Sequence, residues 1–600
     1  MPTHPSTIQN TEHEYNRKLE LLRASEVKFK ERDTLLGYAK LFLLLLGVAM
    51  AFWLLTTRNS SIFWIFLPAI LFILLAVIHE NVIRALKRCE RAILFYEHGL
   101  ARIGGEWMGQ GETGERFSDP SHPYARDLDL FGKGSLFELL CDARTRVGED
   151  TLAKWLLSPA LPEEVFARNH AVTDLRYRLD LREDLATLGD LVRSAVRPDS
   201  LVAWAEGRLL LQSRAGRVAS LLLSLLWLAS LVAWAVWDLR YVAFLSTAIN
   251  LAFGFVHSAN VRMVVAGVET SAQDLALLSK VLTRLEREKF SAAKLVDLHA
   301  RLHTRGELPS RSIARLGRLV ELLISRRNPI VQVADPFVLW TVNLAFAIEA
   351  WRKRFGPAAR GWISAVGEME ALSSLAGYSY EHPADVFPEF TEDAPCFDAE
   401  AFAHPLIPES RAVQNDLRLS GDFRLMIISG PNMAGKSTFL RSVGINAVLA
   451  QCGAPVRAKR LRLSSLTVAA SVCVLDSLQG GISRFYAEIA RLKLIVDLTR
   501  GPAPVLFLLD ELLQGTNSHD RQIGAEAIAR SLFERGAIGL ITTHDLALAE
   551  IADSLGPGAG NFHFEDRLEN GELRFDYHLT PGVVQTSNAL DLMRSIGLNV

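Results

Sequence analysis

The stretch Gly430-Pro431-Asn432-Met433-Ala434-Gly435-Lys436-Ser437-Thr438 constrains the fold more than any other stretch of the chain. It fits G-x-x-x-x-G-K-[ST], a phosphate-binding P-loop, whose chemistry needs a strand before it and a helix after it. Leu425-Met426-Ile427-Ile428 reads as a buried strand, and Phe439-Leu440-Arg441-Ser442-Val443 begins a helix. In that setting the glycines let the backbone curl round a phosphate, and the amides of the helix N-terminus face the anion. Lys436 is then placed for the β- and γ-phosphates of ATP, and the Ser437 hydroxyl for Mg²⁺. The competing reading is a chance Gly-rich turn, and a second motif argues against it.

That motif is Val505-Leu506-Phe507-Leu508-Leu509-Asp510-Glu511. An apolar run ending in two acids predicts a buried parallel strand that delivers carboxylates at its C-terminal edge. Asp510 is expected in the Mg²⁺ shell and Glu511 as the base that polarises the attacking water. A further strand, Ile538-Gly539-Leu540-Ile541-Thr542-Thr543, runs into His544-Asp545. A lone histidine is usually structural, but at the end of this strand His544 is expected to sense the γ-phosphate. Between these motifs, Gly480-Gly481-Ile482-Ser483-Arg484 is a glycine turn opening a helix, another anion-binding N-terminus. The P-loop already serves one nucleotide, so this turn points to the nucleotide of a second subunit. A plain helix cap is the other reading.

The order of P-loop, serine turn, acidic strand and histidine resembles the MutS family of mismatch-repair ATPases, relatives of the ABC ATPases. Ala434 stands where that family usually has glycine. Asp510-Glu511 followed by Gly515-Thr516-Asn517-Ser518 is similar to its acidic strand and following loop, and Thr543-His544 to its histidine motif. Gln451 resembles its glutamine loop, and His578 in Asp576-Tyr577-His578-Leu579 its adenine-stacking histidine. The resemblance implies a homodimer in which Ser483 meets the γ-phosphate bound by the partner's Lys436. Arg484 replaces the usual threonine, either adding a cation in trans or lying solvated on its helix. Weaker likenesses extend back to about residue 120, where Thr145-Arg146-Val147-Gly148 precedes the Leu156-containing helix as in the MutS helical core.

Four apolar runs set this chain apart from a soluble ATPase, in line with a mean hydropathy of +0.17. Leu41 to Thr56 and Ile62 to Ile78 form one pair, and Val218 to Trp237 and Tyr241 to Val256 another. Each is near the length of a membrane helix. Lys28, Lys30, Arg32 and Lys40 precede the first pair, and Arg84, Lys87, Arg88 and Arg91 follow it. Arg208, Arg214 and Arg217 precede the second pair, and Arg262 follows. This bias puts all outer flanks in the cytoplasm. Ile330 to Ala350 is also apolar, but Gln332, Asp335, Pro336 and Asn343 interrupt it, so it reads as a core helix. The five cysteines form no metal spacing and fit a reducing compartment. A net charge of -2 shows no global basic excess of the kind that announces nucleic acid.

The expected fold is a C-terminal α/β P-loop (ABC-type) ATPase domain after an all-α MutS-like core carrying two transmembrane hairpins. The expected divisions are a polar helix (1–38), a first hairpin (39–80), a charged connecting helix (81–120) and a first core segment (121–217). A second hairpin (218–258), a second core segment (259–395) and the ATPase domain (396–600) follow. The stretch between the first hairpin and the core is too short for the mismatch-recognition domain of MutS. Phe95-Tyr96-Glu97 matches its Phe-x-Glu wedge only as a tripeptide and reads as an ordinary helical face. The second hairpin stands about where MutS inserts its DNA clamp. Two functions follow: a membrane-anchored ATPase coupled to DNA, or a MutS-type engine acting on a membrane or protein partner.

Overall fold

The computed structural model describes residues 5–56, 66–188, 198–268, 272–302, 307–392, 394–431, 434–472, 484–569 and 572–583. Up to residue 381 the described elements are helical, apart from one isolated bridge residue. Two long helices come first, α1 (Pro5–Thr56) and α2 (Phe66–Gly104). Later come α3 (Arg214–Trp237), α4 (Arg240–Val268), the amphipathic α5 (Pro309–Ile324), the short α6 (Pro329–Val338) and the long α7 (Trp340–Glu381). Among the described residues, α1, α2, α3 and α4 are long and apolar enough to cross a membrane. Their outward leucines, valines and phenylalanines, such as Leu45, Ile73, Leu225 and Phe244, are exposed, as a lipid-facing surface requires.

The strands follow in chain order: β1 (Glu389–Phe390), β2 (Phe397–Phe402), β3 (Asn415–Leu419), β4 (Leu425–Ser429), β5 (Arg460–Leu463) and β6 (Thr467–Ser471). After them come β7 (Val505–Leu509), β8 (Ile538–Thr543), β9 (Ala559–Glu569) and β10 (Glu572–Pro581). Helix α8 (Lys436–Cys452) follows β4, α9 (Arg484–Leu498) precedes β7, and α10 (Ser518–Glu534) precedes β8. The main sheet has the order β10-β9-β4-β8-β7-β6. All its pairs are parallel except β10 on β9. Every residue of β4, β7 and β8 is buried. That explains their unbroken apolar runs, since a parallel sheet covered by helices leaves no strand face to water. A smaller sheet, β1-β5-β2-β3, lies beside the phosphate-loop helix through the contact of Phe402 with Phe439.

The chain divides into two compact units. One comprises Met1–Cys141, Ala153–Thr187 and Leu375–Val600, and so holds the first apolar hairpin together with both sheets. The other comprises Asp142–Leu152 and Leu188–Ser374 and holds the second hairpin.

The division expected from the sequence began a helical core at residue 121. Helix α2 ends at Gly104, and the segment after it wraps the α/β domain. Leu128 is buried against Gly444 of α8, where a Cβ would lie 2.5 Å from the leucine. Arg441 on α8 donates to the Asp127 carbonyl (3.0 Å), Asp127 accepts from the Val472 amide (2.8 Å), and Arg491 on α9 donates to the His122 carbonyl (2.6 Å). The tripeptide Phe95-Tyr96-Glu97 is plain packing, as expected. Phe95 and Tyr96 are buried and Glu97 pairs with Arg23 at 2.8 Å.

In the second unit, Thr145-x-x-Gly148 has a local reason. The buried Glu370 carboxylate accepts from the Arg144 and Thr145 amides and the Thr145 hydroxyl. A Cβ on Gly148 would stand 2.3 Å from that carboxylate. Burial pushes the Glu370 pKa up to about 7. The run from Ile330 to Ala350 is not a single core helix. It breaks at Leu339 (φ 50) into α6 and α7, bent by 76°.

Candidate nucleotide site

The loops after β4, β7 and β8 emerge at one edge of the sheet, because parallel strands share a direction. In open α/β sheets ligands bind at this carboxyl edge. Gly430 leaves β4 with φ 144, and a Cβ there would come within 2.9 Å of the Phe564 carbonyl on β9. Gly435 has φ 96 and starts α8, with Tyr577 so close that a Cβ would meet its ring at 2.9 Å. Both glycines are therefore required by backbone geometry. Ala434 is buried, and Asn432 and Met433 lie outside the described residues.

Lys436 is 4 % exposed. Its ammonium donates to the carbonyls of Gly430 (2.7 Å) and Pro431 (2.9 Å) and lies 3.8 Å from Glu511 Oε1. Burial lowers its pKa, opposed by the charges of Glu511 and Asp510. Asp510 ends β7 and takes hydrogen bonds from the Ser437 and Thr542 hydroxyls. Burial nonetheless raises its pKa, which marks a carboxylate short of cationic partners. A serine hydroxyl and a buried carboxylate side by side, both oxygen donors, fit a hard cation such as Mg²⁺.

Glu511 has φ 50, a left-handed conformation uncommon for a residue with a Cβ. Its amide donates to Thr542 on β8 through both the carbonyl (3.2 Å) and Oγ1 (3.1 Å), which holds the turn. Its carboxylate accepts from Gln514 and stands 3.9 Å from His544 Nδ1. Lys436, Ser437, Asp510, Glu511 and His544 therefore come together at this edge.

The adjoining cavity has a volume of about 390 Å³ and is lined by Lys436, Ser437, Thr438, Glu511, His404 and Tyr577, among others. Burial lowers the His404 pKa to about 4, so this wall presents a neutral imidazole. Two expected residues stand elsewhere. Gln451 lies fifteen residues beyond Lys436 on the unbroken α8, about 22 Å away at 1.5 Å per residue. It is buried beside Trp155 and Tyr124, so it cannot touch this cavity. His578 is exposed and is not among the lining residues; its neighbour Tyr577 is. The reason is a register shift between Phe575 and Leu579, with Tyr577 at φ 56. Asn415 fixes that irregularity by donating to the Tyr577 carbonyl (2.9 Å) and accepting from the Leu579 amide (2.7 Å). Ser483 lies outside the described residues, and Arg484 opens α9.

The sheet and its carboxyl-edge loops make the C-terminal region an ATPase-type α/β domain. Residues 426–599 match the family model of MutS domain V, the domain that this chain shares with the MutS family. It is 34% identical over 242 residues to a DNA mismatch repair protein MutS of Natronomonas pharaonis, covering 39% of this chain and 27% of that protein. It is 34% identical over 248 residues to the DNA mismatch repair protein MutS of Thermus aquaticus, covering 41% of this chain and 29% of that protein. A DNA mismatch repair protein MutS 2 of Haloarcula marismortui is 36% identical over 214 residues, with 35% of this chain and 22% of that protein covered. The chain thus spans less than a third of the length of these relatives.

Proposed function

We propose that the chain is a membrane-anchored MutS-type ATPase that couples Mg-ATP binding and hydrolysis to DNA binding. The observation that carries the ATPase reading is the convergence of Lys436, Ser437, Asp510 and Glu511 at one edge of the parallel sheet. In this reading the amides of Gly430 to Thr438 cradle the phosphates, and Lys436 leaves its carbonyl partners for the β- and γ-phosphates. Ser437 and Asp510 hold Mg²⁺, which supplies neutralising charge to the phosphate oxygens. Glu511 takes the proton of the attacking water, and His544 contacts the γ-phosphate. Tyr577, not His578, stands as the aromatic wall.

The names of the relatives carry the DNA side of the reading. A second reading, a MutS-type engine acting on a membrane or protein partner, is favoured by the apolar hairpin that stands where MutS carries its clamp. Titrating salt in a DNA-binding assay separates them. Binding through phosphate contacts falls linearly in log–log form with a slope of about -0.9 per contact. Absence of saturable binding at low salt rejects the DNA reading and leaves the second.

The four apolar helices support a multi-pass membrane protein with its core and ATPase domain in the cytoplasm. Reporter fusions after Arg58 and after Asp238 are expected on the far side, and fusions after Arg208 or Arg262 on the cytoplasmic side. Full extraction by carbonate without detergent would refute the spans.

The active unit is a homodimer with composite sites, since one chain carries one P-loop and one serine turn. Mixing the inactive variants Lys436→Ala and Ser483→Ala is expected to restore some of the turnover. In a mixed dimer one site holds both defects and the other holds neither. No recovery, despite demonstrated subunit exchange, means that each chain hydrolyses ATP alone.

A further inference from the structure

We infer that α6 is a third membrane-seated element: an interfacial half-helix lying in the cytoplasmic leaflet against the second hairpin, its outer face in lipid. The inference rests on the proposal that α3 and α4 span the bilayer.

Helix α6 has no buried residue, and Ile330 and Val333 are 80 % and 71 % exposed. With Pro329 and Pro336, also exposed, they make one apolar face at helical spacing. The opposite face packs on α3 and α4. There Phe337 stacks on Trp227 with ring centres 5.7 Å apart. Helix α6 therefore adds its exposed face to the outward apolar residues of that hairpin, which include Leu221, Leu251 and Phe255.

The depth follows from the contacts. Ser224 Oγ donates to the Val338 carbonyl at 2.8 Å. Ser224 lies seven residues beyond Arg217, the last of the basic flank, about 10 Å along a helix. Interfacial helices seat their apolar face about 5–10 Å into the headgroup and acyl boundary.

A helix that ends at this depth leaves carbonyls that water cannot satisfy. Ser224 and two asparagines answer that need, while Gln332 stays exposed on α6. Asn250 of α4, 0 % exposed, donates to the Phe337 carbonyl at 2.5 Å. Asn343 donates to Ser224 Oγ (2.9 Å) and to the Val338 carbonyl (3.3 Å). Asp335 accepts from the Thr341 amide (2.7 Å) and hydroxyl (2.6 Å), capping α7. Irregular backbone at membrane depth is tolerated where protein groups satisfy it in this way.

The neighbourhood suits anionic lipid. Arg311, Arg315 and Arg318 form an exposed stripe on α5, and Arg326 lies three residues before α6. Basic residues beside an apolar helical face are what an interfacial segment uses to hold lipid headgroups.

The test uses the full-length chain in vesicles of phosphatidylcholine and phosphatidylglycerol, in a Cys473→Ser background. The other four cysteines are buried. Ile330→Cys and Val333→Cys carry an environment-sensitive fluorophore, with Phe244→Cys as the span control and Leu161→Cys, at a residue 76 % exposed, as the aqueous control. Both α6 labels are expected to lose fluorescence to nitroxide-bearing lipids, as Phe244→Cys does, and to resist aqueous iodide. Iodide quenching at both, with Phe244→Cys still quenched by lipid, overturns the inference and leaves the spans standing. Quenching by neither agent, with the same control result, means that protein covers the face, and it also overturns the inference. Iodide quenching at Phe244→Cys removes the spans and the inference together.

Discussion

Replacing Glu511 by glutamine is expected to slow ATP turnover by about 10²–10⁴-fold, the range that a positioned general base contributes, while nucleotide binding persists. The amide keeps the shape of the side chain and its room beside Gln514, but it cannot take a proton from water. Binding should survive because Lys436 and Ser437 remain, and Lys436 loses a competing carboxylate 3.8 Å away. Lys436→Ala should do the reverse and weaken nucleotide binding itself. Fluorescent ATP-analogue titration and single-turnover phosphate release measure the two effects separately. Unchanged phosphate release in Glu511→Gln would place the base elsewhere, with His544 the next group in reach of the same water. The left-handed backbone of Glu511 makes the prediction specific to the side chain. Glutamine carries the same Cβ and adds no new backbone cost, so a loss of turnover is not a folding defect.

The regions of this site that were legible in the sequence are those in which chemistry and secondary structure are contiguous. The P-loop carries its own strand and helix, and the acidic pair ends its own strand. The P-loop motif pointed to Lys436 and Ser437, and the apolar run before Asp510 and Glu511 to the end of a buried strand. Tyr577 was not legible because a register shift sets which side chain of β10 meets the cavity, and Asn415, 162 residues earlier, stabilises that shift. Gln451 was misplaced because a short motif says nothing of how far α8 continues without a break. Gln332, Asp335, Pro336 and Asn343 argued against lipid contact when counted along the chain. Asn343 takes another meaning once Asn250 and Ser224 are seen to complete the same hydrogen-bond set. The stretch from residue 121 was expected to begin the helical core; its Leu128 packs against Gly444 of α8.

Arg102→Ala is expected to weaken the junction between the first hairpin and the end of α7 by about 3–5 kcal/mol, the usual cost of stranding one member of a buried ion pair. Arg102, near the end of α2, donates from Nε to Glu381 Oε2 (2.6 Å) and from a terminal nitrogen to Oε1 (2.7 Å). Glu381 is the last residue of α7, and the two side chains are 7 % and 0 % exposed. Tyr15 of α1 donates its hydroxyl to the same carboxylate at 3.3 Å and packs edge-on against Tyr96. One carboxylate thus ties α1, α2 and α7 together just before the chain enters the sheets. With the arginine gone, Glu381 loses this two-point charge partner. Amides around Tyr15 and Tyr96 should then exchange with solvent faster by about two to three orders of magnitude, at about 1.4 kcal/mol per tenfold. The double variant Arg102→Leu with Glu381→Leu should recover most of the loss, because apolar residues of similar size replace a buried pair at little cost. Equal exchange in Arg102→Ala and the parent would mean that water or another cation reaches Glu381, and that the hairpin is not fastened to α7 through this pair. Parent-like ATP turnover in Arg102→Ala, alongside the faster exchange, would show that the junction anchors the ATPase domain without governing its chemistry. Reduced turnover would instead make the α2–α7 junction the route by which the first apolar hairpin acts on hydrolysis.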